Sequence, residues 1–200
     1  MYCTFYTNIA KVLLFSLLIS SGLPSRTITL PDGPVSPGLL ESAAGHQYLA
    51  YQGIPYAEPP VGSLRWLPPQ PSLGWNETID GSISPPMCNQ GIPGTNVRYG
   101  YEDCLILNVY TKEMNESLPV MVWFHGGGLD FGEGGMYSPY FLIDYGIVIV
   151  TVNYRLGPWG FLSLDSPAIS GNQGFRDQTL ALEWVHNNIM YFGGDTNRVR

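Results

Sequence analysis

The sequence predicts an α/β fold with a mostly parallel central sheet and a small antiparallel subdomain at its amino-terminal end. Two continuously apolar runs, at residues 120–124 and 147–150, are typical of strands that are covered on both faces. An amphipathic helix is indicated between about residues 175 and 192. Strands that alternate with helices favour a parallel, doubly wound sheet.

The antiparallel subdomain is predicted between about residues 26 and 75. This region is rich in proline and glycine, and short strand-like segments such as residues 46–52 lie between its turn signals. We expect it to frame a site and to contribute no chemistry. A further strand is predicted at residues 104–110, where apolar and polar residues alternate less than in a half-exposed strand.

Two strands and a short helix are predicted in the middle of the chain. The strands are expected at residues 119–124 and 147–154. Between them, Ser138 and Pro139 are a suitable N-cap and first residue for a helix over residues 140–145. Such a helix would cross over between the two strands.

The long helix is predicted from apolar residues spaced by four, which are Ala181, Val185 and Ile189. Asp177 is expected in its first turn, where a negative charge is favourable. The glycine pair at residues 193–194 can end the helix.

Composition excludes two broad classes of protein. Apolar residues make up 44% of the chain and charged residues 12%, so the chain can bury a core and is not disordered. The net charge is −7, and the basic residues are scattered singly, which argues against nucleic acid as a partner. We expect no metal and no cofactor.

Residues 1–22 are interpreted as a secretory signal peptide, which predicts a secreted protein. Lys11 precedes the apolar run at residues 12–20, and small residues at 20–22 suit a cleavage site. The alternative is a membrane anchor, but the run is shorter than the ~20 residues that span a bilayer. The sequence leaves the question of membrane association open.

Secretion into an oxidising compartment predicts a disulfide and two N-glycosylation sites. Cys3 lies in the segment to be removed, so Cys88 and Cys104 remain, and we expect a disulfide. A loop of that size contributes about 3 kcal/mol. The alternative is two free buried thiols. Asn76 and Asn115 begin triplets for N-glycosylation in turn-like stretches.

Three consecutive glycines, Gly126, Gly127 and Gly128, follow the apolar strand at residues 119–124 and His125. Without side chains, consecutive backbone N–H groups can converge on one point, as an oxyanion hole requires. The alternative is a tight turn without a ligand. No Gly-x-Ser-x-Gly motif occurs in the chain, so a nucleophile to accompany such a hole is absent from these residues.

Five motifs in the same order and spacing resemble those of the type-B carboxylesterase family, which includes cholinesterases. They lie at residues 102–110, 125–128, 153–163, 171–185 and 192–195. The resemblance covers almost all of the chain after residue 22. It implies an α/β-hydrolase fold, with a Ser–Glu or Asp–His triad that hydrolyses small carboxylic esters.

The resemblance implies that Gly127 and Gly128 donate their backbone N–H groups to the oxyanion. Leu129 would line the acyl pocket and favour apolar esters. A third donor would follow the catalytic serine, which lies beyond Arg200 in this interpretation. Residues 23–200 would then be the amino-terminal part of the catalytic domain, ending before the nucleophile elbow, and this chain alone is expected to be inactive.

The resemblance also implies a disulfide and two ion pairs. Buried charges require such partners. The pairs are Cys88 with Cys104, Arg65 with Glu102, and Arg155 with Asp177. For Arg155, the alternative is a free side chain on a solvated turn.

The histidines are not assigned to proton transfer. His186 lies inside the long helix as a packing or surface residue, His125 is expected to support the glycine loop, and His46 carries no functional signal. Gly94 stands where cholinesterases have the tryptophan that stacks on choline. The resemblance therefore indicates a general or lineage-specific carboxylesterase and not an acetylcholinesterase.

Two alternatives to an esterase fragment remain. One is a cholinesterase-like adhesion or scaffold protein without catalysis, which a residue other than serine in the elbow would indicate. The other is that the 200-residue chain is itself the mature product, which would expose strand edges and aggregate.

Overall fold

The computed structural model describes residues 26–200 apart from 92, 93, 113, 167 and 168, and the predicted signal peptide lies outside these residues. Strands are numbered β1 to β12 and helices α1 and α2. The strands are β1 (Ile28–Thr29), β2 (Pro34–Glu41), β3 (Gln47–Pro55), β4 (Ile79–Gly81), β5 (Gln90–Gly91), β6 (Arg98–Tyr99), β7 (Ile106–Thr111), β8 (Leu118–Phe124), β9 (Val148–Val152), β10 (Ser163–Ser166), β11 (Ile169–Ser170) and β12 (Gly194–Val199). The helices are α1 (Gly157–Phe161) and α2 (Gln173–Asn188).

The predicted α/β fold is confirmed, and its main sheet is mixed. Within the described residues this sheet has the order β1-β2-β3-β7-β9-β8-β12, with β4 paired to β2. Strand β8 is parallel to both of its neighbours, β9 and β12, whereas β7 is antiparallel to β9. The antiparallel part therefore extends beyond the predicted subdomain at residues 26–75.

The short connection between β7 and β8 explains this difference. Residues 112–117 are too few for the crossover of about a dozen residues that parallel strands need, so β8 reverses the direction of β7. Strand β9 then lies between them and runs parallel to β8. Every residue of β9 is buried, as its apolar run predicted for a strand covered on both faces, and β7 is buried throughout as well. The same prediction for residues 120–124 is wrong, because in β8 Trp123 is exposed and its neighbours are only partly buried.

The predicted crossover helix at residues 140–145 is wrong. The structure has a single 3-10 turn there, Ile143–Tyr145, which Gly146 ends in a left-handed conformation. The hydroxyl of Ser138 does accept a hydrogen bond from the N–H of Tyr140. Only Ile143 is buried in this segment, so packing does not offset the cost of nucleating a helix.

The long helix is confirmed. Helix α2 begins at Gln173, and the 3-10 turn Ile189–Phe192 continues it to Gly193, which is left-handed. Its predicted stripe of Ala181, Val185 and Ile189 is fully buried. Asp177 lies one residue beyond the first turn, because the helix begins two residues earlier than predicted, and its carboxylate is buried against an arginine.

That arginine is Arg155, which follows β9 and forms a buried ion pair with Asp177. The guanidinium donates hydrogen bonds from Nε and Nη2 to the carboxylate at 2.9 and 2.7 Å, and Nη1 donates to the carbonyl of Leu67. The exposed fractions are 3% for Arg155 and 0% for Asp177. Burial raises the pKa of Asp177, and the guanidinium opposes this rise. The pair fixes α2 against the end of β9.

A second charged cluster surrounds Asp144 in the 3-10 turn. Its Oδ1 atom lies 2.9 Å from Ser42 Oγ, 2.9 Å from His46 Nδ1 and 3.0 Å from Lys112 Nζ. His46 and Lys112 together hold the pKa of the Asp144 carboxyl well below its usual range. The cluster joins the turn between β2 and β3 to the 3-10 turn and to the end of β7.

We predict that Asp177→Ala lowers the free energy of unfolding by about 3–5 kcal/mol, because it leaves the buried Arg155 without a counter-charge. Urea denaturation of the variant and the wild-type protein measures this. The matched control is Asp195→Ala, which removes the exposed pair between Asp195 and Arg198. That variant should unfold close to wild type. Equal losses for both variants would contradict the prediction.

We also predict that Asp144 makes stability depend on acid pH. Because its pKa is lower in the folded than in the unfolded protein, its contribution is complete above the ordinary value of about 3.9 and is lost as pH falls below that value. Thermal unfolding between pH 6 and pH 2 measures the loss. Asp144→Asn should flatten this dependence, and an unchanged slope in that variant would count against the assignment.

Candidate active site

The candidate site begins where β8 leaves the sheet. Strands β9, β8 and β12 are parallel, so their carboxyl ends lie at the same edge. His125 follows β8 directly, and residues 126–132, here called the glycine loop, project from that edge. Ligands of parallel sheets commonly bind at such an edge.

The glycine loop needs glycine at Gly127. This residue has φ +118°, and a side chain there would collide with the carbonyl oxygen of Phe131. The carbonyl of Gly127 accepts hydrogen bonds from the N–H groups of Asp130 and Phe131 at 3.1 and 3.2 Å. Gly128, at φ +65°, also lies in the left-handed region. The loop is therefore a tight turn closed by its own backbone.

The turn leaves two adjacent donors free. Within the described part of the chain, the backbone N–H groups of Gly127 and Gly128 donate no hydrogen bond. Gly128 is exposed and Gly127 is partly exposed. Unpaired N–H groups that are fixed by a rigid turn can bind a negatively charged oxygen.

His125 supports the start of the glycine loop. Its ring is buried and stacks on Tyr154, with ring centroids 4.5 Å apart, and its Nδ1 lies 2.9 Å from the carbonyl oxygen of Gly126. Because a carbonyl oxygen only accepts, Nδ1 carries the proton. The Tyr154 hydroxyl donates a hydrogen bond to the His125 carbonyl. Burial lowers the pKa of His125, so the ring is neutral at pH 7.

Leu129 lies at the turn of the glycine loop with φ +63°. Its side chain is partly buried and packs against the main hydrophobic core, which includes Val150 and Tyr154. Its carbonyl accepts a hydrogen bond from the N–H of Gly157 at 2.7 Å, which ties the loop to α1.

The predicted disulfide between Cys88 and Cys104 is confirmed, and both residues are buried. Near it, Arg65 Nε donates a 2.6 Å hydrogen bond to Glu102 Oε2. The Arg65 guanidinium also lies over the ring of Trp66, 5.5 Å from its centroid. The structure thus brings together the members of each pair that the resemblance implied.

Gln90 is a site residue that sequence reasoning missed. Its amide is buried, with 3% of the residue exposed, and hydrogen-bonds both the N–H and the carbonyl of Gly132 in the glycine loop. A lone glutamine between Cys88 and Cys104 carries no periodicity or motif that would have identified it.

Three further residues from the sequence analysis lie at the surface. Asn76 and Asn115 are exposed, as is His186 on α2. In the described ranges no three His, Cys, Asp or Glu side chains form a group that could hold a metal ion. No helix in the described residues is long and apolar enough to cross a membrane.

Comparisons with known proteins agree on one family. The profile of the carboxylesterase family matches residues 24–200. The chain is 45% identical to a carboxylic ester hydrolase of Bombus ignitus, over 79% of this chain and 30% of that protein. It is also 45% identical to juvenile hormone esterase of Tribolium castaneum, over 76% of this chain and 27% of that protein.

The fold agrees with this similarity. The crystal structure of juvenile hormone esterase from Manduca sexta, with OTFP covalently attached, matches with a TM-score of 0.80 and 32% identity. The match covers 86% of this chain and 34% of that chain. The chain thus spans about a third of the length of the relatives it matches. It has an α/β-hydrolase fold and belongs to the carboxylesterase family.

Proposed function

We propose that this chain is the amino-terminal part of a secreted serine carboxylesterase, in which Gly127 and Gly128 form two donors of the oxyanion hole. The observation that carries the proposal is the pair of unpaired N–H groups on a turn that requires glycine. During ester hydrolysis a serine attacks the carbonyl carbon, and the carbonyl oxygen becomes negative. Fixed N–H groups stabilise that charge more than they stabilise the neutral ester.

The register of β12 supports a nucleophile beside the glycine loop. Arg200 N–H donates to the carbonyl of Val120, and Val122 N–H donates to the carbonyl of Arg200. Strand β8 continues from Val122 to Phe124 before the loop begins. A chain that extends β12 in the same direction would reach the same edge, where an elbow with the serine could face the two donors. Without that serine, residues 1–200 alone are expected to be inactive.

The substrate class proposed is a small, neutral carboxylic ester. Leu129 is placed beside the donors by the sequence and would contribute an apolar wall to the acyl pocket. Gly94 in place of an aromatic residue argues against a choline ester, because a quaternary ammonium needs an aromatic face.

Secretion is supported by three independent features. The chain begins with a segment typical of a signal peptide, the disulfide suits an oxidising compartment, and both glycosylation triplets start at exposed asparagines. A relative with 41% identity is named a venom carboxylesterase of Apis mellifera.

Activity of the full-length protein tests the oxyanion assignment. We predict that Gly127→Ala lowers kcat by about 10²–10³, because its methyl group would displace Phe131 and the N–H groups of the turn. Gly128→Pro, which removes one N–H and cannot adopt the φ of +65° found there, should abolish turnover. Initial rates with a short-chain aryl ester measure both effects.

Gly126→Ala is the matched control, since a side chain there meets no atom within 4 Å. This variant should remain within a few-fold of wild-type activity. Normal turnover in Gly127→Ala and Gly128→Pro would disprove the assignment. A folded wild-type protein that neither hydrolyses esters nor reacts with a fluorophosphonate would favour the adhesion alternative.

A further inference from the structure

We propose that Gln90 is a positioning residue for the oxyanion hole, and that through it the disulfide-closed loop at residues 88–104 holds the glycine loop in place. The proposal rests on the proposed function of Gly127 and Gly128. It assigns Gln90 no contact with substrate. It makes the disulfide loop a mechanical support of the reaction centre.

The Gln90 amide both accepts a hydrogen bond from the backbone of Gly132 and donates one to it. Gly132 N–H donates to Oε1 at 2.7 Å, and Nε2 donates to the Gly132 carbonyl at 2.9 Å. The same Nε2 also donates to the Cys88 carbonyl at 2.9 Å. A buried amide that lost these partners would leave several polar groups unpaired, so the pairing holds its position firmly.

Gly132 transmits this position to the start of the glycine loop. It has φ +126°, and a side chain there would lie 2.3 Å from Nδ1 of His125. That nitrogen is the one that bonds the carbonyl of Gly126. His125 and Gln90 therefore hold the two ends of the loop, and the donors Gly127 and Gly128 lie between them.

The other side of Gln90 is fixed by the disulfide loop. Gln90 lies two residues after Cys88 and pairs with Tyr99 in the small sheet of β5 and β6. Cys88 is bonded to Cys104, which lies just before the buried strand β7. The disulfide therefore fixes the position of the Gln90 amide relative to the central sheet, in addition to the packing of the loop.

The test is made in the full-length protein with Gln90→Ala and Gln90→Glu. We expect Gln90→Ala to lower kcat for an aryl ester by about 10- to 100-fold with KM changed less than about 2-fold, because a misplaced donor weakens transition-state binding selectively. In Gln90→Glu, only the protonated carboxyl offers both a donor and an acceptor. Its kcat relative to wild type should therefore rise as pH falls.

The matched control is Val35→Ala, a fully buried residue on β2, which β3, β7 and β9 separate from β8 in the sheet. It lowers stability with three strands between it and the strand that leads into the glycine loop, so kcat should stay at the wild-type value well below its melting temperature. If Val35→Ala and Gln90→Ala lower kcat equally, or if Gln90→Ala leaves kcat unchanged in an active enzyme, the proposal is wrong.

Hydrogen exchange separates this proposal from the proposed function. The N–H groups of Asp130 and Phe131 bond to Gly127 within the glycine loop and do not contact Gln90. In Gln90→Ala, they should exchange at least 10-fold faster, while the amides of β9 exchange as in wild type. If wild type hydrolyses no ester, faster exchange still supports the positioning role and only the function fails. Unchanged exchange at both amides overturns the positioning role.

Discussion

The candidate site depends on the position of β8, which is hydrogen-bonded on both sides by parallel strands. This arrangement fixes the point and the direction in which the chain leaves the sheet. At that point the chain must turn at once, and the close approach of Gly127 to the Phe131 carbonyl allows no side chain. A turn closed by its own backbone then leaves adjacent N–H groups without partners, and these groups are able to bind a negatively charged oxygen.

Two sets of buried polar side chains each fix one element of the fold to another. Arg155 and Asp177 join the end of β9 to α2, and Gln90 joins the disulfide loop to Gly132. Such groups are costly to bury unless they are paired, so each tolerates few alternative arrangements. Rigid support of this kind suits a site that stabilises charge, because donors that need not reorganise are the effective ones.

The sequence predicted local structure best where burial and periodicity agree. The stripe of Ala181, Val185 and Ile189 located α2, and the continuous apolar run at residues 147–150 located β9. The helix expected at residues 140–145 does not form. There, a good cap at Ser138 was present, but burial of Ile143 alone cannot offset the cost of helix nucleation.

By itself, the sequence determined the family, the strands that flank the glycine loop and the cysteines that pair, because these features lie in short motifs and local patterns. Only the tertiary structure decided that the sheet is mixed, that residues 140–145 form no α-helix, and that Gln90 binds Gly132. The reason is physical. Gln90 and Gly132 are 42 residues apart, and a hydrogen bond between them exists only after both loops are packed on the same sheet.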